Sequence, residues 1–360
     1  MSTEAQAMPD PSLIFGMNLI KTLNNGALCL MISIGHRTGL FDTLATFYPE
    51  YVSSQTLAEK ANLNERYVRE WLGGMVVGEI IEYDSELKSY RLPQEHALLL
   101  TRAAVGKNMA ILSEWVSSLA CFEDGVLECF RNGGGLHNET FYRIHEIIAE
   151  RTELIAPELH STILPCIPGL LDSLEKGCKA LDIGCGRGFV ILDFAKRFPN
   201  STFYGYDILP KLVADANADV ASSGLTNVSF RVQDVSKIEE VNEYDVIICM
   251  ESIHVLVDPI NALKCVHRAL KENGVFALLQ VNASSELENN KTLAFGPALY
   301  SISAIHTLSV SLAEGGMGLG ACWGNESTLK TLKDVGFNKT DVIQLPNELL
   351  PRWFVSRKQN

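Results

Sequence analysis

Residues 179–189 read KALDIGCGRGF, a short apolar strand that runs into a loop with three glycines. Such glycines let the backbone turn tightly and approach a ligand, and the helix predicted over 189–198 adds exposed N–H groups. The third glycine comes one residue early for the dinucleotide fingerprint Gly-x-Gly-x-x-Gly, whose last position is Phe189 here. Asp182, at the strand end, suits a ligand with a cationic amine better than a pyrophosphate. The predicted ligand residues are Asp182, Gly184, Gly186 and Gly188.

Two more acids follow the next predicted strands. Asp207 ends the strand over 202–206, and Asp234 comes just after the strand over 228–232. Each acid alone fits a helix N-cap or a solvated loop, but open α/β sheets bind ligands at the carboxyl ends of their strands. Asp207 can accept both ribose hydroxyls of an adenosine, and Asp234 can accept from an adenine amino group. The predicted cofactor site also includes Ile208, Gln233, Val235 and Met250.

The second half of the chain alternates apolar strands with helices, the pattern of a parallel α/β sheet. Strands are predicted over 244–250 and 274–281, with a helix over 259–270 between them. The chain closes with a predicted helix over 327–335 and strands over 341–345 and 353–356.

The first half predicts amphipathic helices and a hairpin. A short helix over 56–60 and a turn over 62–64 lead into a helix with an apolar stripe, followed by strands over 80–83 and 90–92. This order describes a winged helix. Residues 26–95 hold six basic and ten acidic side chains, a balance that argues against DNA binding and favours packing or dimerisation. The stripe consists of Val68, Trp71, Leu72, Met75 and Val76.

With the glycine loop (residues 184–188) and the strand-end acids, the chain resembles a class I S-adenosylmethionine-dependent methyltransferase over roughly 170–360. The winged helix, the segment ESIH at 251–254 and a long insert at 284–325 resemble one subfamily of small-molecule methyltransferases with mycobacterial and animal members. The resemblance implies an α/β fold: a seven-stranded Rossmann-like methyltransferase sheet with an N-terminal helical and winged-helix domain. It also implies S-adenosyl-L-methionine as cofactor and S-adenosyl-L-homocysteine as product.

Length and composition limit the remaining possibilities. The 360 residues exceed one ordinary domain, so we expect a helical and winged-helix domain over 1–150, for dimerisation and substrate cover, and a methyltransferase domain over 151–360. The net charge of −13 argues against a nucleic-acid partner. The nine cysteines are scattered, and we find neither a signal peptide nor an apolar run of membrane length. We therefore expect a cytoplasmic protein without a membrane partner. The histidines lack metal-ligand spacing, so we expect no metal site.

Methyl transfer from a sulfonium needs an aligned acceptor, exclusion of water and a base when the acceptor carries a proton. His254 lies four residues past the strand over 244–250 and is the predicted general base. The alternative is that His254 caps the helix that begins near Pro259. Apart from Glu251, no acid or lysine follows that strand immediately. This lack of further bases favours S-methylation of a low-molecular-weight thiol, and so does the resemblance to animal members thought to handle small thiols. O-methylation of a phenol or alcohol is the alternative.

The insert over 284–325 is predicted to be a substrate lid, with a helical segment over 299–312 and flexible glycines over 315–320. Its His306 is a second catalytic candidate, and two further members are expected to face the pocket, although packing or solvation fits each of them too. The resemblance implies that the region over 136–146 reaches onto the catalytic domain. The predicted substrate residues are Tyr142, His145, Glu251, Glu314 and Trp323.

Two other functions fit the sequence less well than methyl transfer. An NAD-dependent oxidoreductase is disfavoured by Phe189 and Asp182. A winged-helix transcription regulator is disfavoured by the complete set of glycines and acids and by the acidic winged helix. The apolar segment over 27–34 exceeds what a small winged helix needs for its core, so we expect a homodimer through the amino-terminal helices and the winged helix.

Overall fold

The computed structural model describes residues 10–104, 107–345 and 351–359. The chain divides between Ala120 and Cys121 into two compact units, so the second unit begins earlier than the boundary near residue 150 that the sequence predicted. Residues 1–9, on which the prediction of no signal peptide depends, lie outside the described residues.

The first unit is helical apart from one antiparallel hairpin. Ser53 accepts from the Thr56 N–H and caps one helix, and Asn64 accepts from the Arg66 N–H and caps the next. That next helix buries the predicted apolar stripe except Val76, which is half-buried. The winged-helix prediction is therefore confirmed. The elements are α1 (Pro11–Arg37), α2 (Leu40–Ala45), α3 (Ser54–Ala61), α4 (Glu65–Val77), β1 (Glu82–Asp84), β2 (Ser89–Arg91), α5 (Gln94–Leu100) and α6 (Ala110–Ala120).

Seven strands form one sheet in the second unit. They are β3 (Lys179–Ile183), β4 (Thr202–Asp207), β5 (Val228–Val232), β6 (Tyr244–Met250), β7 (Leu270–Val281), β8 (Thr340–Ile343) and β9 (Pro351–Arg357). Their order is β5-β4-β3-β6-β7-β9-β8. The strands from β5 to β7 in this order are parallel, and β9 runs antiparallel to both β7 and β8. The predicted Rossmann-like methyltransferase sheet is confirmed.

Both faces of this sheet are covered, so its strands are apolar almost throughout. Ala180 of β3 packs in one layer with the helices Tyr142–Thr162 and Phe189–Arg197, and Leu181 packs in the opposite layer with the helix Pro259–Ala269. Among the described residues no single helix is long and apolar enough to cross a membrane. One pair of helical segments, Asn138–Cys166 and Leu170–Lys176, has the length and composition of a span when taken together, but it is bent by 117°. The helices are α7 (Glu123–Asn132), α8 (Tyr142–Thr162), α9 (Leu170–Lys176), α10 (Phe189–Arg197), α11 (Pro210–Ser223), α12 (Pro259–Ala269), α13 (Leu287–Asn290), α14 (Gly296–Ile302), α15 (Leu308–Ala313) and α16 (Asn325–Asp334).

The insert over 284–325 is helical where the sequence predicted it. A π-helical turn, Ser303–Thr307, joins α14 to α15. The glycine-rich segment that follows was expected to be flexible, but it is anchored in this structure. The Gly316 N–H donates to the Ser311 carbonyl at 2.9 Å, and the Met317 N–H donates to the Val257 carbonyl at 3.1 Å. The insert is thereby tied to the turn that follows β6.

Candidate active site

The glycine loop between β3 and α10 is shaped by its backbone. Gly184, Gly186 and Gly188 have φ angles of 65°, 55° and 70°, in the left-handed region that other residues rarely adopt. The Gly184 N–H donates to the Tyr206 carbonyl at 2.7 Å and fixes the loop against β4. A Cβ added at Gly186 would meet nothing within 4 Å. The loop therefore leaves open space for a ligand beside the start of α10.

Asp207 braces this loop from the end of β4. Its Oδ2 accepts from the Gly186 N–H at 2.8 Å, and its Oδ1 accepts from the Leu209 N–H at 2.9 Å. Burial raises the pKa of Asp207, although both backbone N–H groups act against that rise. The predicted ribose acid thus lies at the glycine loop, as expected from its position in the sheet.

Asp182 is a buried carboxyl group without a countercharge. It lies in β3 with 3 % of its surface exposed, and no hydrogen bond to its carboxylate is seen among the described residues. Burial, with a smaller contribution from the charge of Asp207, raises the pKa of Asp182 to about 8. A ligand that brings a positive charge to this position would relieve the cost of ionising the group.

Asp234 caps a turn, which is the alternative role that its position in the sequence allowed. Its Oδ1 accepts from the Ser236 N–H at 2.9 Å and caps the 3-10 turn Val235–Lys237, and its Oδ2 pairs with Lys237 Nζ at 2.9 Å. Burial acts to raise the pKa of Asp234, but the bonds from Ser236 and Lys237 outweigh it and lower the pKa. The other predicted cofactor residues differ in exposure: Ile208 is exposed, Gln233 and Met250 are half-buried, and Val235 is buried in the core.

His254 lies in the 3-10 turn Ile253–Val255, directly after β6. Its side chain is buried, and its Nδ1 lies 2.8 Å from Gln280 Oε1. Burial lowers the pKa of His254, although Gln280 and the charge of Glu251 act in the opposite direction. The alternative that His254 caps the next helix is wrong, because Asp258 accepts from the Asn261 N–H and caps α12.

The turn that carries His254 touches the glycine loop. Ser252 Oγ donates to the Ile183 carbonyl at 3.2 Å, and a Cβ at Gly184 would lie 2.4 Å from that same Oγ. β3 and β6 are neighbours in the sheet, so their carboxyl ends meet at one edge. The predicted base and the predicted cofactor loop therefore lie on neighbouring segments at one edge of the sheet.

Gln280, which the sequence analysis missed, is the partner of that base. It is the second-last residue of β7, next to β6, and 4 % of its surface is exposed. A single polar residue at the end of the apolar run VFALLQV was the available signal. Its Nε2 is buried and has no hydrogen-bond partner among the described residues.

Glu251 is held in place by a second residue that the sequence did not reveal, Arg151 of α8. Arg151 Nη1 lies 2.8 Å from Glu251 Oε2. Burial acts to raise the pKa of Glu251, but the Arg151 charge and hydrogen bond outweigh it and lower the pKa. Glu251 therefore stays ionised near His254 while its charge is balanced by Arg151.

His306 and His145 form an aromatic group near His254. The His306 ring lies 4.9 Å from the Phe141 ring and 6.4 Å from the His145 ring, centroid to centroid. Burial, and then the charges of His145 and His254, lower the pKa of His306 to about 3. Burial also lowers the pKa of His145, whose Nε2 lies 3.0 Å from Asn138 Oδ1. Both histidines are therefore neutral at physiological pH.

Three predicted substrate residues are exposed to solvent or packed in the core. Glu314 is exposed and its Oε1 lies 2.7 Å from His137 Nδ1, so it is part of a surface pair. Trp323 packs against the apolar layer that contains Ile253. Tyr142 is exposed at the start of α8. For Glu314 and Trp323 these are the solvated and packing alternatives that the sequence left open.

Two family models match separate parts of the chain. One is an Rv2258c-like winged HTH domain over residues 26–102, and the other is a methyltransferase domain over residues 174–333. The chain carries a winged helix-turn-helix domain and a methyltransferase domain. Both domains were expected from the resemblance and are confirmed. The methyltransferase domain contains the glycine loop, the strand-end acids, His254 and the insert.

The curated relatives match this chain only over part of their length. The ubiquinone biosynthesis O-methyltransferase of Leptothrix cholodnii is 29 % identical over 108 residues, which are 29 % of this chain and 45 % of that protein. The enzyme of the same name from Xanthomonas axonopodis pv. citri is 31 % identical over 108 residues, 44 % of its length. The chain thus spans less than half of the relatives that it matches.

Solved structures match nearly the whole chain. A protein of Nostoc punctiforme assigned as an O-methyltransferase superposes with a TM-score of 0.71 at 18 % identity, covering 98 % of this chain and 100 % of that one. Human N-acetylserotonin methyltransferase, solved with S-adenosylmethionine, gives a TM-score of 0.66 at 13 % identity and covers 99 % and 100 %. At these identities the likeness establishes the fold.

Proposed function

We propose that this chain uses S-adenosylmethionine to methylate an oxygen of a small molecule. The observation that carries the proposal is the placement of the neutral, hydrogen-bonded His254 at the sheet edge that also holds the glycine loop and Asp182. The match of a methyltransferase domain over 174–333 supports the reaction class. The names of the relatives, ubiquinone biosynthesis O-methyltransferases, support oxygen as the acceptor atom.

The residues around the glycine loop fit S-adenosylmethionine. Asp182 offers a carboxylate to its ammonium group, and Asp207 offers its remaining lone pairs to the ribose hydroxyls. Asp234 accepts three hydrogen bonds from Ser236 and Lys237, so one of its about four acceptor positions remains for the adenine amino group. When bound, the cofactor supplies a methyl group that is already electrophilic on its sulfonium.

His254 serves as the general base in this proposal. Its Nδ1–H donates to Gln280 Oε1, which leaves the lone pair on Nε2. Burial keeps the ring neutral and ready to accept a proton at physiological pH. His254 Nε2 would take the proton that the acceptor oxygen loses, and the negative charge of Glu251 would stabilise the imidazolium that forms.

An oxygen acceptor fits these residues better than the thiol that the sequence favoured. A thiol with a pKa of about 8.5 is partly ionised at neutral pH, whereas a phenol with a pKa of about 10 requires a positioned base. In the sequence, His254 was a base candidate without an identified hydrogen-bond partner. In the structure Gln280 fixes the ring, and Arg151 holds the nearby Glu251 in its ionised form.

We further propose that the insert over 284–325 excludes water from the acceptor. Ser311 Oγ donates to the Leu256 carbonyl at 3.0 Å, two residues beyond His254, and ties α15 to the turn that carries the base. His254 and Gln280 are each 4 % exposed, and we propose that closure of the insert keeps water away from them. Such closure increases the strength of hydrogen bonds in the site.

The surface charges and exposed apolar side chains of the first unit favour a protein partner over a nucleic acid. The basic side chains of α4 are paired within the helix, Arg66 with Glu70 and Arg69 with Glu65, which leaves no stripe for phosphates. α1 instead exposes a long apolar face, from which we propose a homodimer. Its exposed large side chains are Leu13, Ile14, Phe15, Met17, Leu19, Ile20, Leu23, Leu30 and Ile34.

The test is to incubate the purified chain with S-adenosylmethionine and small phenols, alcohols and thiols, and to identify methylated products by mass spectrometry. We expect S-adenosylmethionine, and not NAD, to raise the melting temperature, because a ligand that binds only the native state stabilises it. We expect methylated phenols or alcohols as products. Methylation of thiols alone would refute oxygen as acceptor, and no stabilisation by S-adenosylmethionine or S-adenosylhomocysteine would refute the whole proposal.

A further inference from the structure

Ser252 joins the end of β6 to the turn that carries His254. Its carbonyl accepts from the Val255 N–H at 3.1 Å and begins the 3-10 turn Ile253–Val255. Its Oγ donates to the carbonyl of Ile183, the last residue of β3, at 3.2 Å. One residue therefore shapes the turn of the predicted base and attaches that turn to the strand that leads into the glycine loop.

Gly184, the first glycine of the loop, is in tight contact with Ser252. A Cβ at Gly184 would lie 2.4 Å from Ser252 Oγ and 2.6 Å from Ser252 Cβ, closer than non-bonded atoms approach each other. Gly186 has a similar φ angle, 55° against 65°, but a Cβ there would meet nothing within 4 Å. The two glycines thus share a backbone conformation and differ in their neighbours, because Gly184 borders the residue that precedes the turn of the base.

We propose that Ser252 is a positioning residue, which sets the place of His254 relative to the glycine loop through its contact with Gly184. The inference rests on the proposed function, in which the cofactor lies at this loop and His254 takes the acceptor proton. Ser252 is two residues from His254, and Gly184 is two residues from Asp182. Because a misplacement of about 1 Å can slow such a reaction about a hundredfold, a fixed spacing between base and cofactor favours methyl transfer.

Other contacts around His254 attach the turn to a different strand. The Glu251 N–H donates to the Leu279 carbonyl at 2.9 Å. His254 Nδ1 lies 2.8 Å from Gln280 Oε1, and both Leu279 and Gln280 belong to β7. Loss of the Ser252 contact would therefore leave the turn attached to β7, while its distance from the glycine loop would be free to change.

The experiment follows the imidazole Cε1–H signal of His254 by NMR in the ligand-free protein. The signal is identified by its absence in His254→Ala. Gly184→Ala is expected to displace this signal, because the added methyl group pushes Ser252 and with it the turn. The matched control is Gly186→Ala, which imposes the same left-handed strain without a neighbouring side chain and should leave the signal in place.

A double-mutant cycle tests whether the effect passes through Ser252. Ser252→Gly removes both atoms that the alanine methyl group would strike, so Gly184→Ala should displace the His254 signal far less in that background than in the wild type. Ser252→Gly by itself is expected to displace the signal as well, since the bond to the Ile183 carbonyl is lost. This single variant carries the test if a melting curve shows that Gly184→Ala does not fold.

The inference is wrong if the His254 signal stays in place in both Gly184→Ala and Ser252→Gly. It is also wrong if Gly186→Ala displaces the signal as much as Gly184→Ala does, because backbone strain in the loop would then be the cause. Equal effects of Gly184→Ala in the two backgrounds would exclude Ser252 as the link. Calorimetry with S-adenosylhomocysteine tests the proposed function separately: no binding by the wild type refutes that function and does not alter the comparison of the signals.

Discussion

The carboxyl groups of Asp182 and Asp207 lie in adjacent strands, and the charge of one helps to keep a proton on the other. Burial and the negative charge of Asp207 raise the pKa of Asp182 to about 8, whereas Asp207 accepts two backbone N–H groups that stabilise its charge. Without a ligand, Asp182 is therefore largely protonated at neutral pH, and burial raises the pKa of Asp207 as well. A bound ammonium group would favour the ionised form of Asp182.

The first prediction concerns the pH dependence of cofactor binding. Below pH 8 the ammonium group must displace a proton from Asp182, so affinity for S-adenosylhomocysteine is expected to rise between pH 6 and pH 8, by up to about tenfold per pH unit. Binding at pH 7 is expected to release about one proton per site. Calorimetry in buffers of different ionisation enthalpy measures both quantities.

The control for this pH dependence is Asp182→Asn. The amide cannot ionise, so its affinity should be weaker and should no longer change with pH through this group. Proton uptake on binding by the wild type, or equal proton release by Asp182→Asn, would show that Asp182 does not receive the ammonium group.

The second prediction is that Asp207→Ala weakens cofactor binding by about ten- to a hundredfold. The substitution removes the proposed acceptor for the ribose hydroxyls and the partner of the Gly186 N–H, and each unpaired buried donor costs about 1–3 kcal/mol. Calorimetric titration with S-adenosylhomocysteine gives the change in Kd. Asp215→Ala, which removes a surface carboxylate paired with Lys211, should bind normally. An unchanged Kd in Asp207→Ala would contradict the assignment.

The parts of the fold that follow from local pattern were predictable from the sequence. Short apolar runs identified the strands, and β5 and β6 have the predicted bounds. The glycine loop was recognisable because its φ angles require glycine. His254 was identifiable because a titratable residue just past a buried strand emerges at the edge where ligands bind.

Partners from distant parts of the chain were not predictable. Gln280 reaches His254 because β7 pairs with β6, and Arg151 reaches Glu251 from a helix about a hundred residues earlier in the chain. Glu314 was assigned to the pocket because of its type and segment, but the structure pairs it with His137 at the surface. One sequence contains no signal for such pairings, since side-chain direction depends on tertiary packing.

The third prediction is that the chain is a dimer at micromolar concentration and that α1 forms the interface. The sequence pointed to residues 27–34, but the apolar side chains before that segment are at least as exposed in the structure, with Leu19 54 % and Leu23 72 % exposed. We expect Leu19→Glu combined with Leu23→Glu to give a monomer in light scattering, because two charges would be buried in the interface. Val77→Glu with Leu87→Glu places the same charges on exposed apolar positions of the same unit and should leave a dimer. A wild-type monomer would refute this prediction.

The last prediction separates oxygen from sulfur as the methylated atom through the pH profile of a base variant. His254→Ala removes the proposed general base, and loss of general-base catalysis lowers kcat by about 100- to 10,000-fold. A phenol with a pKa of about 10 stays largely protonated at pH 9, so for an oxygen acceptor the variant should remain impaired from pH 6 to pH 9. A thiol with a pKa of about 8.5 ionises in that range and would recover activity without the base. Since burial lowers the pKa of His254, the wild type should keep its activity down to mildly acidic pH. Recovery of His254→Ala toward pH 9 with thiols, together with wild-type turnover of thiols and not of phenols, would establish S-methylation and overturn the oxygen proposal.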